Sequence, residues 1–222
     1  MLRDAVLVAG KDLRIEIRSR VGLNQVLPFA VLVLVLFAFA LDPDRGVLVR
    51  ASAGLFWLAV VFSALLAVQR SFAVEAADGG ADGLRLSGLD PAGIFLGKAG
   101  AIALQLVLLE AVLALGVVVL YGAELDGPLV LLAAAVAATI GLAAAGTLYG
   151  VLASGLRVRE TLLPLLLVPV VAPVVIAATR AWESGLDGVS GEAAPWLRLL
   201  AAFAAIYVAF GIAAFGPLLE ES

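Results

Sequence analysis

Six predominantly apolar stretches, each eighteen residues or longer, dominate the chain: Leu23 to Leu41, Ala51 to Val68, Ala99 to Tyr121, Leu129 to Ala153, Leu162 to Thr179 and Pro195 to Leu218. At 1.5 Å of rise per residue, a helix of about 19 residues covers roughly 28 Å, close to the roughly 30 Å hydrocarbon thickness of a bilayer. The runs lack the period-two alternation of barrel strands, so helices are the spanning structures that satisfy their own backbone groups. Composition agrees. Of 222 residues, 64% are hydrophobic and 14% charged, against about 45–50% and 25% in a soluble domain. The expected fold is an all-α membrane protein of six transmembrane helices forming one domain over residues 1–222.

Basic residues orient the spans, because cytoplasmic loops retain Lys and Arg. Arg3, Lys11, Arg14, Arg18, Arg20, Arg70, Arg85, Lys98, Arg157 and Arg159 fall on one side, and Arg45, Arg50, Arg180 and Arg198 on the other. Ten against four places both termini and the second and fourth loops in the cytoplasm. The first 22 residues carry charges throughout and do not read as a cleaved signal peptide. Within them Lys11, Arg14 and Arg18 share one helical face while Leu2, Val6, Ala9, Leu13 and Ile17 line another, which reads either as an interfacial elbow helix over 1–22 or as a charged flank that sets topology. Alternation through Leu13 to Arg18 also suits a strand.

Several chemistries are excluded. Without histidine or cysteine the common zinc sites, haem-iron ligation by imidazole or thiolate, and Ser-His or Cys-His nucleophile systems cannot be built. The string GIFLGKAG around Lys98 has the wrong glycine spacing for a phosphate loop and no Ser or Thr after its lysine. Nothing points to nucleic acid or a bound cofactor, and the chain reads as a non-catalytic subunit. Paired carboxylates at Asp42 with Asp44 and Glu220 with Glu221 read as solvated charge.

Four features inside the spans and loops carry more weight. Glu110 lies near the middle of the third span, where an ionised carboxylate costs about 2.5–3.5 kcal/mol on insertion scales; it either faces a translocation path or holds helices together. Pro164, Pro169 and Pro173 imply a kink in the fifth span, as a hinge or as bent packing. Gly146 and Gly150 form a GxxxG packing surface in the fourth. The second loop, 69–98, continues the second helix through Arg70 to Ala77, breaks at Gly79, Gly80 and Gly83, and shows a leucine edge at Leu84, Leu86 and Leu89 before a turn at Asp90 and Pro91. Charge beside leucines suits docking to a partner or resting on the headgroups.

KDLRIEIRSR before the first span, QRSFAVE and DGLRLSGLDPAGIFLGK in the second loop, and GTLYGVLASGLRVRETLLPLLLVPVVAPVVIAA, in that order and spacing, resemble the CcmB family of cytochrome c biogenesis, type-2 ABC exporter permeases of the bacterial inner membrane. The resemblance implies an amino-terminal elbow carrying Lys11, Arg14 and Arg18, and a coupling element between Glu75 and Asp90 contacting an ATPase through Glu75, Asp78, Asp82, Leu84, Leu86 and Leu89. It also implies partners: the ATPase CcmA, which binds the ATP, the membrane proteins CcmC and CcmD, and, through them, the haem chaperone CcmE, with two copies of this chain per complex. Haem would be handled by the complex, as export or as release of the loaded chaperone. EAADGGAD departs from the family's usual charged run and leaves the contact residues open. Alternatives are a type-2 ABC permease for another cargo, a proton-coupled carrier built on Glu110, and an assembly scaffold.

Overall fold

A computed structural model of the chain describes residues 1–20, 22–40, 45–77, 83, 87–154 and 159–221. Among them the chain forms seven α-helices and no strand. These are α1 (Leu2–Ser19), α2 (Leu27–Ala40), α3 (Arg45–Ala77), α4 (Pro91–Gly116), α5 (Pro128–Ser154), α6 (Arg159–Leu186) and α7 (Ala194–Glu221). Five helices, α3 to α7, are long and apolar enough to cross a membrane. The sixth expected span is shorter: a π-helical turn at Gly22–Val26 leads into α2, and the path from α1 into α2 bends by 56°. Counting that bent pair as one span gives six; the expected run Leu23 to Leu41 supplies α2 of that pair and α1 the expected elbow.

Helix boundaries move most where charged residues sit next to apolar runs. α3 begins at Arg45 and runs on through Ala77, so its 33 residues reach about 50 Å and project beyond a hydrocarbon core. α4 begins eight residues before the expected span. Asp90 caps it, its side chain accepting from the Ala92 N–H at 3.1 Å, and Pro91 takes the first helical position, where its missing N–H costs nothing. Lys98 therefore lies inside the helix rather than before it.

The centre of the bundle is α5, whose run of Ala and Gly lets its neighbours α3, α4, α6 and α7 approach closely. Gly146 faces Val68 and Gly150 faces the Phe72 ring, both on α3, and Gly141 faces Phe203 of α7. The GxxxG pair thus packs within the chain. Two buried hydroxyls settle on their own helix: Ser63 donates to the Ala59 carbonyl at 2.8 Å and Thr147 to Ala143 at 2.7 Å. At the end of the bundle away from α1, Phe56 stacks on Trp182 with ring centroids 3.8 Å apart. Trp182 donates from Nε1 to the Leu131 carbonyl at 3.2 Å, fixing α6 to α5.

Pro164, Pro169 and Pro173 lie inside one uninterrupted helix, α6. Its buried face is Leu163, Leu167, Val171 and Val174, whereas Pro169 and Pro173 are exposed. The carbonyls that Pro169 and Pro173 leave without donors, at Leu165 and Pro169, therefore lie on the outward side, away from the packed core.

Candidate functional site

The strongest concentration of polar chemistry lies where α1 crosses the ends of α3 and α4. Asp4, Val8, Asp12 and Glu16 recur every four residues and so fall along one face of α1. That face meets α4 at Gly93 and Gly97. A Cβ at Gly93 would stand 2.8 Å from Asp4 Cβ and from the Met1 carbonyl oxygen; one at Gly97 would stand 2.6 Å from the Ala5 carbonyl oxygen and 2.7 Å from Val8 Cβ. Only glycine allows so close a crossing.

With α1 so close, its carboxylates reach basic groups of α3 and α4. Lys98, 1% exposed, places Nζ 2.7 Å from Glu75 Oε1 and 3.3 Å from Asp12 Oδ2, and donates to Ser71 Oγ at 3.3 Å. The same Nζ stands 4.9 Å from the centroid of the Phe72 ring, a cation–π contact that gains weight as water is excluded. Glu75, 8% exposed, also accepts from Lys11 at 2.8 Å, and Lys11 lies 3.0 Å from Asp12 Oδ1. One step along, Arg70 Nε pairs with Glu16 Oε2 at 3.1 Å. Three basic and three acidic groups from three helices so form a clasp, each buried charge facing an opposite one, as burial demands. Burial works against the charge on Lys11, but hydrogen bonding and charge from Glu75 and Asp12 outweigh it and raise its pKa above the ordinary lysine value.

The clasp extends to the loop leading into α4. The Asp90 N–H donates to Asp4 Oδ2 at 3.3 Å, and the Leu89 N–H to Ser87 Oγ at 3.3 Å. Leu89 packs against the core. Of the residues expected to couple to a partner, Glu75 and Leu89 are thus brought to the base of α1, and Glu75 points inward rather than to the surface. Asp78, Asp82, Leu84 and Leu86 lie outside the described residues. Of the basic trio on α1, Lys11 turns into the clasp while Arg14 and Arg18 stay exposed, as do the apolar Leu2, Val6 and Ile17.

Glu110 stands apart from this cluster. It is 5% exposed and accepts from Thr139 Oγ1 of α5 at 2.5 Å, a link between α4 and α5. Among the described residues no group of three or more acidic side chains is placed to hold a metal ion.

Sequence patterns alone do not single out Asp12, Glu16 or Ser71, and they show Arg70 and Lys98 only as loop charges. A signal for Lys98 exists all the same. It stands in IFLGKAGAIAL with no other charge in that string, and a lone lysine in an apolar run needs a partner from elsewhere. The four-residue acidic stripe of α1 is the matching signal.

Comparison with known proteins bears on all of these features. The family model described as CcmB protein matches residues 3–221. The Heme exporter protein B of Rhodobacter capsulatus is 30% identical over 203 residues, covering 90% of each chain. That of Pseudomonas aeruginosa is 30% identical over 213 residues and 94% of each chain, and that of Haemophilus influenzae 32% identical over 178 residues, 78% of this chain and 79% of the other.

Proposed function

Because the chain belongs to the CcmB family, we propose that it is the membrane permease subunit of a haem exporter serving cytochrome c maturation, driven by ATP hydrolysed in a separate subunit. The observation that carries this is the match running from residue 3 to residue 221, which takes in the elbow, the second loop and every span at once. The chain's own chemistry fits a subunit of this kind. Lacking histidine and cysteine, it offers haem iron neither imidazole nor thiolate; in this reading its part is mechanical. It binds no cofactor itself; ATP belongs to the partner ATPase and haem to the complex.

In this reading the bundle sits in the bacterial inner membrane with both termini and the segment 69–98 in the cytoplasm. The convergence of residues 1–20, 70–77 and 87–98 at one end of the bundle supports that arrangement, since it gathers the basic residues of the amino-terminal segment and the second loop on one side. The segment between Glu75 and Asp90 would contact the ATPase CcmA. Its two anchors, the end of α3 and the start of α4, are joined through Glu75 and Lys98, so a displacement there reaches α1, α3 and α4 together. CcmC and CcmD complete the membrane part, and two copies of this chain would serve two ATPase domains. Haem export and release of a haem-loaded chaperone, CcmE, both fit a permease of this design.

Isolation of the intact complex from membranes tests the assignment: an ABC ATPase and CcmC should accompany the chain, and replacement of Leu84, Leu86 and Leu89 by Ser should leave ATP hydrolysis while cytochrome c yield collapses. Wild-type cytochrome c after that replacement would overturn the coupling role. Recovery of the chain with an ATPase but with no cytochrome maturation partner would instead favour another cargo.

A further inference from the structure

A groove of 710 Å³ opens on the side of the bundle between α2 and α4, beneath α1, within the range of about 300–1,000 Å³ typical of ligand sites. α2 meets α4 near the end of α4 remote from α1. There Leu34 packs on Gly116, and the Tyr121 hydroxyl donates to the Leu34 carbonyl at 2.9 Å. Toward α1, Asn24, Val26 and Leu27, at and just before the start of α2, and Leu104, Gln105 and Leu108 of α4 line the space left between the two helices. The resulting trough has apolar walls: Val26 and Leu27 on one side, Leu104, Leu108 and Val112 on the other, Ile17 of α1 across the top. Leu104, Leu108 and Val112 are 46%, 63% and 40% exposed, so this wall faces the bilayer.

The charged residues of the trough gather at the α1 end. Glu16 and Arg70 pair there with each other at 3.1 Å. Arg20, the left-handed cap of α1 with φ 55°, also lines the groove, and its guanidinium has no ion-pair partner among the described residues. Gln105, partly buried, has no side-chain hydrogen bond among the described residues either. Among the described residues lining that end are two guanidiniums and one carboxylate. A cation with no ion-pair partner among the described residues, at the mouth of an apolar trough in the plane of a membrane, is complementary to one class of molecule present at that depth: an amphiphile with an anionic head and a hydrocarbon tail.

We propose that this groove is a binding site for an anionic glycerophospholipid of the leaflet next to α1, its phosphate on Arg20, its ester region against Gln105 and one acyl chain along Leu104, Leu108 and Val112. Such a lipid would wedge α1 and α2 apart at their bend and fill the space that the helices leave. Glu16 and Arg70 line the groove and also belong to the clasp, so lipid and clasp share one ion pair. Occupancy would therefore hold the elbow in register.

The test uses the full chain, with whatever subunits accompany it, in nanodiscs of phosphatidylcholine containing phosphatidylglycerol, followed by native mass spectrometry of the released protein. Wild type should retain phosphatidylglycerol in preference to phosphatidylcholine. Arg20→Gln should lose about fivefold of that preference, the share that one basic residue contributes at an anionic surface. Leu108→Trp should remove the retained lipid of both kinds, and Arg14→Gln, exposed but not lining the groove, should match wild type. Because the chain has no cysteine, Leu108→Cys gives a single thiol for cross-linking in native membranes. Retention of phosphatidylglycerol that is indifferent to both Arg20→Gln and Leu108→Trp would overturn the proposal. So would efficient cross-linking of Leu108→Cys to another polypeptide, which would mean that protein covers the groove.

Discussion

Replacing Lys98 by Met isolates what the clasp contributes. The side chain is fully buried, and its removal leaves Glu75 without its 2.7 Å partner and Asp12 without its 3.3 Å partner. Breaking a buried ion pair from one side costs about 3–5 kcal/mol, because the remaining charge stays desolvated. Here Lys11 still stands 2.8 Å from Glu75 and 3.0 Å from Asp12, so the cost falls at the lower end, about 3 kcal/mol. Methionine fills much of the lysine's volume, which keeps a cavity out of the comparison. Glu75→Gln should cost a similar amount by leaving Lys98 facing only Asp12. The double variant removes both charges and leaves Lys11 with Asp12, so its cost should fall short of the sum by up to about 3 kcal/mol, the coupling expected of groups in one network.

The exposed Arg14, Arg18 and Arg20 make α1 a trypsin substrate once it leaves the bundle, which supplies the assay. Where opening is fast and cleavage slow, the cutting rate follows the free energy of local opening. At about 1.4 kcal/mol per decade, Lys98→Met should raise cleavage in α1 about a hundredfold in detergent-purified protein. Two results would refute the reasoning: a rate within threefold of wild type, or strict additivity in the cycle with Glu75→Gln.

Gly97→Ala should also loosen α1, by about 1–3 kcal/mol, because its Cβ would meet the Ala5 carbonyl oxygen and Val8 Cβ, neither of which can swing aside; Gly100→Ala, with nothing within 4 Å, should be neutral or mildly stabilising in the same trypsin assay. Glu110→Gln should change stability by about 0.6 kcal/mol or less, since the amide oxygen still accepts from Thr139, and cytochrome c yield should persist. Loss of that yield in a folded Glu110→Gln chain would instead give the carboxyl a proton-carrying role.

The spans are legible because hydrophobicity in a membrane protein is set by the solvent around it, not by which neighbour each helix finds. Runs such as Leu129 to Ala153 correspond to α5, Pro128–Ser154, within a residue at each end. Legibility fails where tertiary contacts change what a charge or a glycine means. Reading Lys98 as the edge of a loop follows from its cost in lipid, yet that cost vanishes once Asp12, 86 residues earlier, and Glu75, on the preceding helix, arrive at the same point. No local pattern reports an encounter at such separation. The glycines show the same asymmetry. Gly146 and Gly150 announce close packing, but their partners, Val68 and Phe72, emerge only when α3 is laid against α5. Gly93 and Gly97 have the same spacing, but the stretch around them reads as loop, which hides their role in a helix crossing.

If the chain couples to an ATPase as proposed, the clasp would divide that labour between two segments. The family resemblance implies that Glu75 contacts the ATPase, yet Glu75 is committed to Lys11 and Lys98, so a partner could engage it only by first breaking those bonds. Contact would then fall to the segment beyond Ala77, while Glu75 conveys its displacement inward. The two roles separate experimentally. Changing the leucines between residues 84 and 89 should weaken binding of the ATPase, whereas Glu75→Gln should leave the ATPase bound but cut the cytochrome c made per ATP, because a joint that slips no longer carries the stroke.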